Sequence, residues 1–353
     1  MPTSLNIAIN GFGRIGRAIF RQAHRDHRFR VVMINDINPD EKNVCYMYNF
    51  DSIQGVSQGE AALQVVSSNA LRVGSEGDEI RYSREEDVAA LDCADIDILI
   101  DASGLSNNGA SLSALVEKFP KLKVLTTHIH PDADICLVLG ANHEQLDISA
   151  SSIISTSICD ATALAPVLRC LDEAYGVERG HITTVHPWLN YQNLLDGPST
   201  SWANPGEIYD HYPLGRSALD NLIPKPTSAV TATFKSLPNF DAKISSFSYR
   251  VPTSLVGSAD LVLQLKEAPA SKASVISAFE KFNSAFAWKL FGINTDPLIS
   301  RDFINREESA IIDARWLDIV DNQIHLILWY DNENGYAGRV LDQAQFVSEA
   351  RKA

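Results

Sequence analysis

The sequence predicts an α/β protein of two domains: a doubly wound, mostly parallel sheet, followed by an α+β domain with a mostly antiparallel sheet. Three observations predict this fold class. Apolar strand runs alternate with helical patterns up to residue 158. Beyond residue 180, several β-rich stretches follow one another, interrupted by a single predicted helix. The 353 residues are enough for two domains with ordinary hydrophobic cores.

A glycine-rich motif follows the first predicted strand. Residues 6–10 form a short apolar strand, 11–16 read Gly-x-Gly-x-x-Gly, and a helical pattern follows, which is the context this motif needs. The first glycine permits a tight turn, the second lets a pyrophosphate approach the backbone, and the third lets helix and strand pack closely. We therefore predict a Rossmann-type dinucleotide-binding domain whose helix N-terminus carries the diphosphate. The predicted binding residues here are Asn10, Gly11, Phe12, Gly13, Arg14 and Ile15.

The second predicted strand, residues 30–35, ends in Asp36, about 20 residues after the last glycine, as the motif expects. A carboxylate at this place accepts hydrogen bonds from both ribose hydroxyls and repels a 2′-phosphate. The sequence therefore predicts NAD rather than NADP as the cofactor. The alternative is a glycine-rich turn in an unrelated α/β fold with an exposed aspartate, and the presence of both parts of the motif disfavours it.

The remainder of the first domain is less regular. Residues 41–95 contain the short strand candidates 63–66 and 79–82, whereas the continuous apolar run 97–101 predicts a buried parallel strand. A crossover helix and a further strand at 123–127 complete the alternation. Ligands bind doubly wound sheets at the carboxyl ends of the strands. At these ends lie Ser103, Gly104 and Thr127, which we add to the predicted cofactor site.

Cys159 lies at a predicted strand-to-helix junction. The apolar pair at 153–154 ends a strand, and apolar residues then recur at helical spacing up to Gly176. Free backbone N–H groups and the positive end of the helix dipole meet at a helix N-terminus, and this setting favours a thiolate. The alternative is a small buried thiol without chemical function.

The second half of the chain is mostly strand and loop. Residues 181–186 form a strand with a histidine at each end, and a long Pro/Gly/Asn-rich loop follows at 187–226. A last amphipathic helix begins near Tyr336. The predicted β-rich stretches are 228–234, 244–251, 258–266, 309–315 and 323–330, with one helix around 271–285.

Composition narrows the class of partner. The net charge of −14 argues against nucleic acid, because phosphate backbones demand a basic face. No apolar run approaches the roughly 18 residues that a membrane helix needs, so we expect no membrane association. No signal peptide is expected before Asn6. The five cysteines show no CxxC pair and no metal-ligand spacing, which favours free thiols in the cytoplasm and no metal.

Eight segments, in order along nearly the whole chain, resemble the glyceraldehyde-3-phosphate dehydrogenase family. They are NGFGRIG at 10–16, IND at 34–36, DSIQG at 51–55, the Cys159 junction, TTVH at 183–186, RSALDNLIP at 216–224, RVPT at 250–253 and WYDNENGY at 329–336. Residues 171–176 are also similar to the erythrose-4-phosphate dehydrogenase branch. The resemblance implies an NAD-binding domain at 1–158 with 332–353, and a catalytic domain at 159–331.

The resemblance also implies a mechanism. Cys159 attacks the aldehyde carbon, and His186 takes the thiol proton and helps to hold the hemithioacetal oxygen. A hydride passes to NAD, and inorganic phosphate attacks the resulting thioester. Asn332 resembles the residue that holds the nicotinamide carboxamide, and Tyr336 the aromatic residue near its ring. His181 is interpreted as structural. Family members are tetramers, so we expect a homotetramer.

Departures from the family pattern concentrate at the phosphate sites. Ile158 and Asp160 replace two hydroxyl residues around the nucleophile. Asp160 puts a negative charge beside the thiolate and the incoming phosphate, although it also suits the first turn of a helix. Leu189 and Tyr191 stand where the family has a threonine and often an aspartate.

The predicted substrate-binding residues are Asp160, Arg216, Arg250 and the pair Thr227 and Ser228, which replaces a Thr-Gly pair. Either arginine is alternatively an ordinary surface cation. The sequence thus predicts an NAD-dependent aldehyde dehydrogenase acting on glyceraldehyde 3-phosphate or a related sugar-phosphate aldehyde. Two alternatives remain open: the same chemistry on another aldehyde with non-phosphate release, or a non-catalytic NAD-binding regulatory protein. The semialdehyde dehydrogenases are a more distant alternative, which Asp36 disfavours because they prefer NADP.

Overall fold

The computed structural model describes residues 4–200 and 207–352, which form two compact units. The first unit contains the chain up to Ile135, Asp147–Thr156 and the residues from Val340 on, and the second contains Cys136–Leu146 and Ser157–Arg339. This division differs from the predicted domain limits at 136–146 and at the start of the last helix. The limits 1–158 with 332–353 and 159–331 stay a prediction.

The first unit is a nine-stranded sheet flanked by helices. Its strands lie in the order β10-β11-β9-β8-β1-β2-β7-β6-β5. Its elements are β1 (Leu5–Asn10), α1 (Arg14–Ala23), β2 (Phe29–Asn35), α2 (Glu41–Asn49), β3 (Phe50–Asp51), β4 (Gly55–Val56), β5 (Leu63–Ser67), β6 (Ala70–Val73), β7 (Glu79–Ser83), β8 (Ile98–Asp101), α3 (Gly109–Lys118), β9 (Lys123–Thr126), β10 (Ile135–Cys136) and β11 (Ile153–Ser155). The pairs from β11 through β1 to β7 are parallel, and β5 and β6 add an antiparallel edge.

The central strands of this unit are buried, as their continuous apolar runs predict. Every residue of β8 and of β9 is buried. Leu112 and Leu115 of α3 pack against Leu99 and Val124 in one core cluster. Because β1, β2, β8 and β9 are parallel, their carboxyl ends lie at the same edge of the sheet.

The second unit is a mixed, mostly antiparallel sheet backed by helices. Its strands lie in the order β13-β14-β12-β15-β19-β17-β16, with β18 on β19. Its elements are α4 (Cys159–Tyr175), β12 (Val177–Pro187), β13 (Ile223–Lys225), α5 (Ser228–Ser236), β14 (Ile244–Val251), β15 (Gly257–Leu265), α6 (Lys272–Ser284), β16 (Phe291–Asn294), β17 (Ala310–Asp313), β18 (Asp318–Val320) and β19 (Gln323–Tyr330); α7 (Asn334–Ala350) ends the chain. The pairs β12–β14 and β16–β17 are parallel.

One predicted strand is wrong: residues 228–234 belong to helix α5. The β-branched Val230, Thr231 and Thr233 suggested a strand, but Thr227 caps the helix by accepting a hydrogen bond from the Ala229 N–H at 3.0 Å. Ala229, Val230 and Thr233 are buried at helical spacing. Packing and the cap together outweigh the modest intrinsic preference of these residues for strands.

The core of the second unit lies between its sheet and the helices α4, α5 and α6. In β15 buried and partly buried residues alternate, so Ala259, Leu261 and Leu263 face the helices. From α4, Leu164, Leu168 and Leu171 enter the same cluster. In the described residues no helix is long and apolar enough to cross a bilayer. Part of the predicted loop 187–226, residues 201–206, lies outside the described residues; the rest holds a 3₁₀ turn at Tyr212–Gly215 and strand β13.

Candidate active site

The candidate nucleophile begins helix α4. Ser157 has a left-handed backbone conformation, with φ of 63°, and Ile158 is extended as the N-cap residue. Ile158 has no side-chain acceptor, so the first N–H groups of α4 donate no hydrogen bond to the side chain of the N-cap residue. Cys159 therefore lies at a helix N-terminus, which is the position that the sequence predicts for this thiol.

His186 lies near the end of β12, and its Nε2 is 3.8 Å from Cys159 Sγ. Its Nδ1 lies 2.8 Å from the Pro187 carbonyl oxygen. Arg250 Nη1, which can only donate, also approaches Nδ1, so the two neighbours of Nδ1 favour different tautomers. The tautomer in which Nδ1 donates to the carbonyl leaves Nε2 as an acceptor facing the thiol, and this is the tautomer that proton transfer from Cys159 requires. Burial lowers the pKa of His186, with the nearby Asp160 acting in the opposite direction. A neutral imidazole in this tautomer can take the thiol proton.

Arg250 lies opposite His186 in the parallel pairing of β12 with β14. Its side chain is buried, with 5% of the residue exposed. Nη1 donates to the Pro187 carbonyl oxygen at 2.9 Å and closely contacts His186 Nδ1, while Nη2 donates to the Tyr191 hydroxyl at 3.4 Å. The predicted anion ligand Arg250 is thus brought directly beside the candidate base.

Asp160 faces the thiol rather than the solvent. Its Oδ1 is 4.0 Å from Cys159 Sγ and accepts a hydrogen bond from the Tyr330 hydroxyl at 2.6 Å. Burial, and then the Asp160 charge, raise the pKa of the Cys159 thiol well above its usual value, and the Asp160 N–H and Arg250 oppose this only in part. The site therefore favours a thiol that loses its proton to His186 during attack, instead of a free thiolate.

The thiol, the carboxylate and the imidazole offer three ligand atoms within 4.8 Å of one another. Such a group can also hold a borderline-soft ion such as Zn²⁺. The adjacent guanidinium of Arg250 opposes a cation at this place. The catalytic roles of Cys159 and His186, without a metal, stay predictions.

Three of the predicted substrate-binding residues have other roles. Arg216 is a surface cation, with its side chain 67% exposed and its Nε 2.6 Å from Asp196 Oδ2. Thr227 uses its hydroxyl to cap α5, and Ser228 is the first residue of that helix. In residues 4–200 and 207–352, none of these three side chains hydrogen-bonds to Cys159, His186 or Arg250. Their binding roles stay predictions.

Lys225 is a charged residue near the site that the sequence did not single out. It ends β13 and pairs with Ser248 of β14. Burial, and then the charge of Arg250, lower the pKa of Lys225 to about 8, while Asp160 acts to raise it. The signal that could have revealed it is a lysine between two prolines, directly after the segment 216–224 that resembles the family.

The predicted dinucleotide site has the expected glycine geometry. Gly11 has φ of +89°, and a Cβ there would lie 2.7 Å from the backbone of Ala102 and Ser103. A Cβ on Gly16 would lie 2.0 Å from the Gly11 carbonyl oxygen, whereas a Cβ on Gly13 would meet nothing within 4 Å. Gly13 caps α1 without a side chain. Open space before an uncapped helix N-terminus fits a diphosphate group.

Polar side chains hold the strand ends around this turn. Asp36 accepts hydrogen bonds from the Phe12 N–H at 2.6 Å and the Asn38 N–H at 2.9 Å. Asn10 donates to Asp101 Oδ1 at 2.9 Å and accepts from Asn35 at 2.7 Å, so its side chain ties strands together.

The other predicted cofactor residues in this unit are fixed in similar ways. The Ser103 N–H donates to Asp101 Oδ1 at 3.1 Å, and the Thr127 N–H donates to the Asp101 carbonyl oxygen at 2.9 Å. Gly104 has φ of +77°, and Ile15 lies in the first turn of α1. Arg14 forms an ion pair with Asp51 at 3.2 Å.

Asn332 and Tyr336, predicted to contact the nicotinamide, are both buried in the second unit. Asn332 Oδ1 accepts a hydrogen bond from the Val256 N–H at 3.0 Å, and the Tyr336 hydroxyl donates to the Ser157 carbonyl oxygen at 3.1 Å. The second contact fixes the turn that precedes Cys159. Their role toward the cofactor stays a prediction.

Comparison with known proteins identifies the family. Residues 5–109 match the family model described as glyceraldehyde 3-phosphate dehydrogenase, NAD binding domain, and residues 158–332 match the C-terminal domain model. Glyceraldehyde-3-phosphate dehydrogenase 1 of Bacillus cereus is 33% identical over 346 residues, covering 97% of this chain and 98% of the relative. Glyceraldehyde-3-phosphate dehydrogenase 2 of Staphylococcus aureus is 34% identical over 348 residues, covering 98% and 96%.

The matches confirm the predicted fold class, and they confirm NAD as the cofactor. Both family models and the full-length relatives confirm the family that the eight segments resemble. They also confirm that the protein is an NAD-dependent dehydrogenase. The chain therefore belongs to the glyceraldehyde-3-phosphate dehydrogenase family.

Proposed function

We propose that this protein oxidises glyceraldehyde 3-phosphate, or a related sugar-phosphate aldehyde, through a thioester on Cys159 that phosphate normally releases. The observation that carries the proposal is the 3.8 Å approach of His186 Nε2 to Cys159 Sγ, with Nδ1 held by the Pro187 carbonyl. The relatives named above supply the substrate class.

In the acylation step, different groups of the chain attack the aldehyde, accept the proton and stabilise the oxygen. Cys159 Sγ attacks the aldehyde carbon while its proton moves to His186 Nε2. The hemithioacetal oxygen lies near the uncapped N–H groups that begin α4, which can donate hydrogen bonds to it. NAD, when bound, supplies the hydride acceptor that converts the hemithioacetal into a thioester.

Release of the acyl group is the step in which this chain departs from its family. Phosphate attack on the thioester carbon breaks the C–S bond, and His186 can return a proton to the sulfur. Asp160, 4.0 Å from Sγ, opposes the approach of a dianion. This contact favours a second candidate function, in which water takes the acyl group and the product is a carboxylic acid.

One experiment tests both candidate functions. NADH formation is measured with a panel of phosphorylated and unphosphorylated aldehydes, each with phosphate, with arsenate or with neither. Turnover of a sugar-phosphate aldehyde that depends on phosphate or arsenate supports the first function. Turnover that is unaffected by either supports release by water, and the absence of NADH with every aldehyde contradicts both.

Cofactor preference depends on Asp36. We expect the unmutated enzyme to prefer NAD over NADP by a large factor, because the carboxylate accepts hydrogen bonds from ribose hydroxyls and repels a 2′-phosphate. Asp36→Ala should narrow the preference, mostly by weakening NAD binding. Asp36→Asn is the matched control, since it removes the charge and keeps one acceptor oxygen. Steady-state kinetics with both cofactors measures this, and comparable rates in the unmutated protein would contradict it.

We also propose that the protein is a homotetramer. The loop 187–226 is too long for an ordinary connection. Its described part exposes six large apolar side chains: Leu194, Leu195, Ile208, Tyr212, Leu219 and Leu222. Exposed apolar residues at this density are typical of an interface. Light scattering at micromolar concentration should give a tetrameric mass, which Leu195→Asp should lower. A fully active monomer would overturn the proposal.

A further inference from the structure

Lys225, Arg250 and His186 lie on one face of the second sheet. Directly paired residues of adjacent strands point to the same face, and so do residues two apart in one strand. His186 pairs with Arg250, and Lys225 pairs with Ser248, two residues before Arg250. The lysine therefore lies on the face that carries the candidate base, one strand beyond the arginine.

Arg250 has no acidic partner. The described part of the chain shows no ion pair for it. Nη1 reaches the Pro187 carbonyl and contacts His186 Nδ1, Nη2 reaches the Tyr191 hydroxyl, and Nε is buried without a hydrogen-bond partner. A buried guanidinium whose N–H groups are incompletely satisfied is costly unless a further acceptor binds. A ligand oxygen would supply that acceptor.

Lys225 is in a similar position. It is partly buried, and within residues 4–200 and 207–352 its Nζ donates only to the neighbouring Pro226 carbonyl oxygen, at 2.5 Å, and forms no ion pair. Burial and the positive charge of Arg250 both oppose its own charge. Asp160 is the carboxylate that acts on it, and one oxygen of that carboxylate already accepts from Tyr330. Asp160 thus acts on Lys225, and Arg250 has no ion pair among the described residues, which leaves an excess of positive charge on this face.

We propose that Lys225 binds a phosphate group together with Arg250, and that it is a substrate-binding residue of this enzyme. An ammonium and a guanidinium on one face are the usual protein partners of phosphate oxygens. The inference rests on the function proposed above and extends it. Ile158 and Asp160 replace two hydroxyl residues of the family, and the inference assigns the contacts with phosphate to Lys225 instead. The phosphate belongs either to the aldehyde substrate or to the inorganic acyl acceptor.

Kinetics of Lys225 variants tests the proposal and distinguishes these two sources. Lys225→Met should raise the KM for the phosphorylated aldehyde relative to an unphosphorylated one, or the KM for inorganic phosphate, by about 10- to 100-fold, as expected for a lost charged hydrogen bond. Lys225→Arg keeps the positive charge, so its KM values should lie close to those of the unmutated enzyme. Lys235→Met removes a lysine from the exposed side of α5 and should change neither KM. Equal KM values for Lys225→Met and the unmutated enzyme would overturn the proposal.

A second measurement does not need turnover. Inorganic phosphate bound between Lys225 and Arg250 would lie close to His186 and slow the alkylation of Cys159 by iodoacetamide. We expect this protection in the unmutated protein and in Lys235→Met, and its loss in Lys225→Met, with the same melting temperature in all three. If no aldehyde is oxidised, the proposed function is contradicted, but the alkylation assay still shows whether Lys225 takes part in phosphate binding. Absence of protection in the unmutated protein would overturn the anion site.

Discussion

Cys159→Ser is expected to abolish NADH formation and to leave NAD binding nearly intact. A serine hydroxyl is a far weaker acid than a thiol, and the neutral His186 cannot compensate for that difference. Loss of the nucleophile from a catalytic group that acts as a unit costs roughly 10³-fold or more in kcat. NAD affinity is predicted to depend instead on the glycine turn and Asp36 in the first unit. Absorbance of NADH and quenching of protein fluorescence by NAD measure the two effects separately.

Cys170 supplies the matched control for this experiment. It lies on the same helix, is buried, and contacts the Ala278 carbonyl oxygen through its sulfur at 3.6 Å. Burial raises the pKa of Cys170 to about 12, and its sulfur contacts a carbonyl oxygen where Cys159 has the imidazole of His186. Cys170→Ser should retain activity. Full activity in Cys159→Ser, or equal losses in both variants, would contradict the role of Cys159.

Asp160→Thr, which restores the family residue, is expected to speed alkylation of Cys159 at pH 7 by about tenfold or more, because loss of the adjacent negative charge lowers the pKa of the thiol. After burial, the Asp160 charge is the largest cause of the raised pKa of this thiol. Turnover should also respond more strongly to added phosphate. Two like charges about 4 Å apart oppose each other by about 4 kcal/mol at an effective dielectric constant near 20.

Asp160→Asn separates charge from shape in this test. It keeps an oxygen that can accept from the Tyr330 hydroxyl while removing the negative charge, so its alkylation rate should approach that of Asp160→Thr. The rates are measured with iodoacetamide under pseudo-first-order conditions, together with the phosphate dependence of kcat. If neither variant changes either quantity, the carboxylate does not act on the thiol. The altered phosphate chemistry must then be explained by Ile158 and Leu189.

The sequence predicted features that depend on local pattern. A strand, a glycine turn and a helix in succession allow only a few backbone paths, so Gly11 and Asp36 lie where the motif places them. Cys159 and His186 lie on different elements, 27 residues apart, and we paired them only because of the family's motif order; the structure places Nε2 3.8 Å from Sγ. The glycine turn could be located because strand, turn and helix are encoded by one continuous segment. The roles of all these residues stay predictions.

Features that depend on pairing between distant strands could not be predicted in the same way. Lys225 reaches the site because β13 pairs with β14 in one particular register, and nothing in its own segment specifies that register. Arg216, predicted as an anion ligand, forms an ion pair with Asp196, 20 residues earlier in the chain, and its own motif does not specify that contact. Helix α5 formed where β-branched residues favoured a strand, because its buried face and its Thr227 cap decided the outcome.

The hydrogen bond between Tyr330 and Asp160 restricts the mutational paths open to this enzyme. Reversion of Asp160 to threonine would leave a fully buried tyrosine hydroxyl without its acceptor, at a cost of about 1–3 kcal/mol in folding stability. Tyr330→Phe should reduce that cost in the double variant and be harmful alone, which is sign epistasis between residues 170 positions apart. The same tyrosine also restricts position 257, because a Cβ on Gly257 would lie 2.5 Å from the Tyr330 ring. The effect of Asp160→Thr on the thiol is therefore best measured both with and without Tyr330→Phe, so that the loss of folding stability and the change in thiol reactivity are separated.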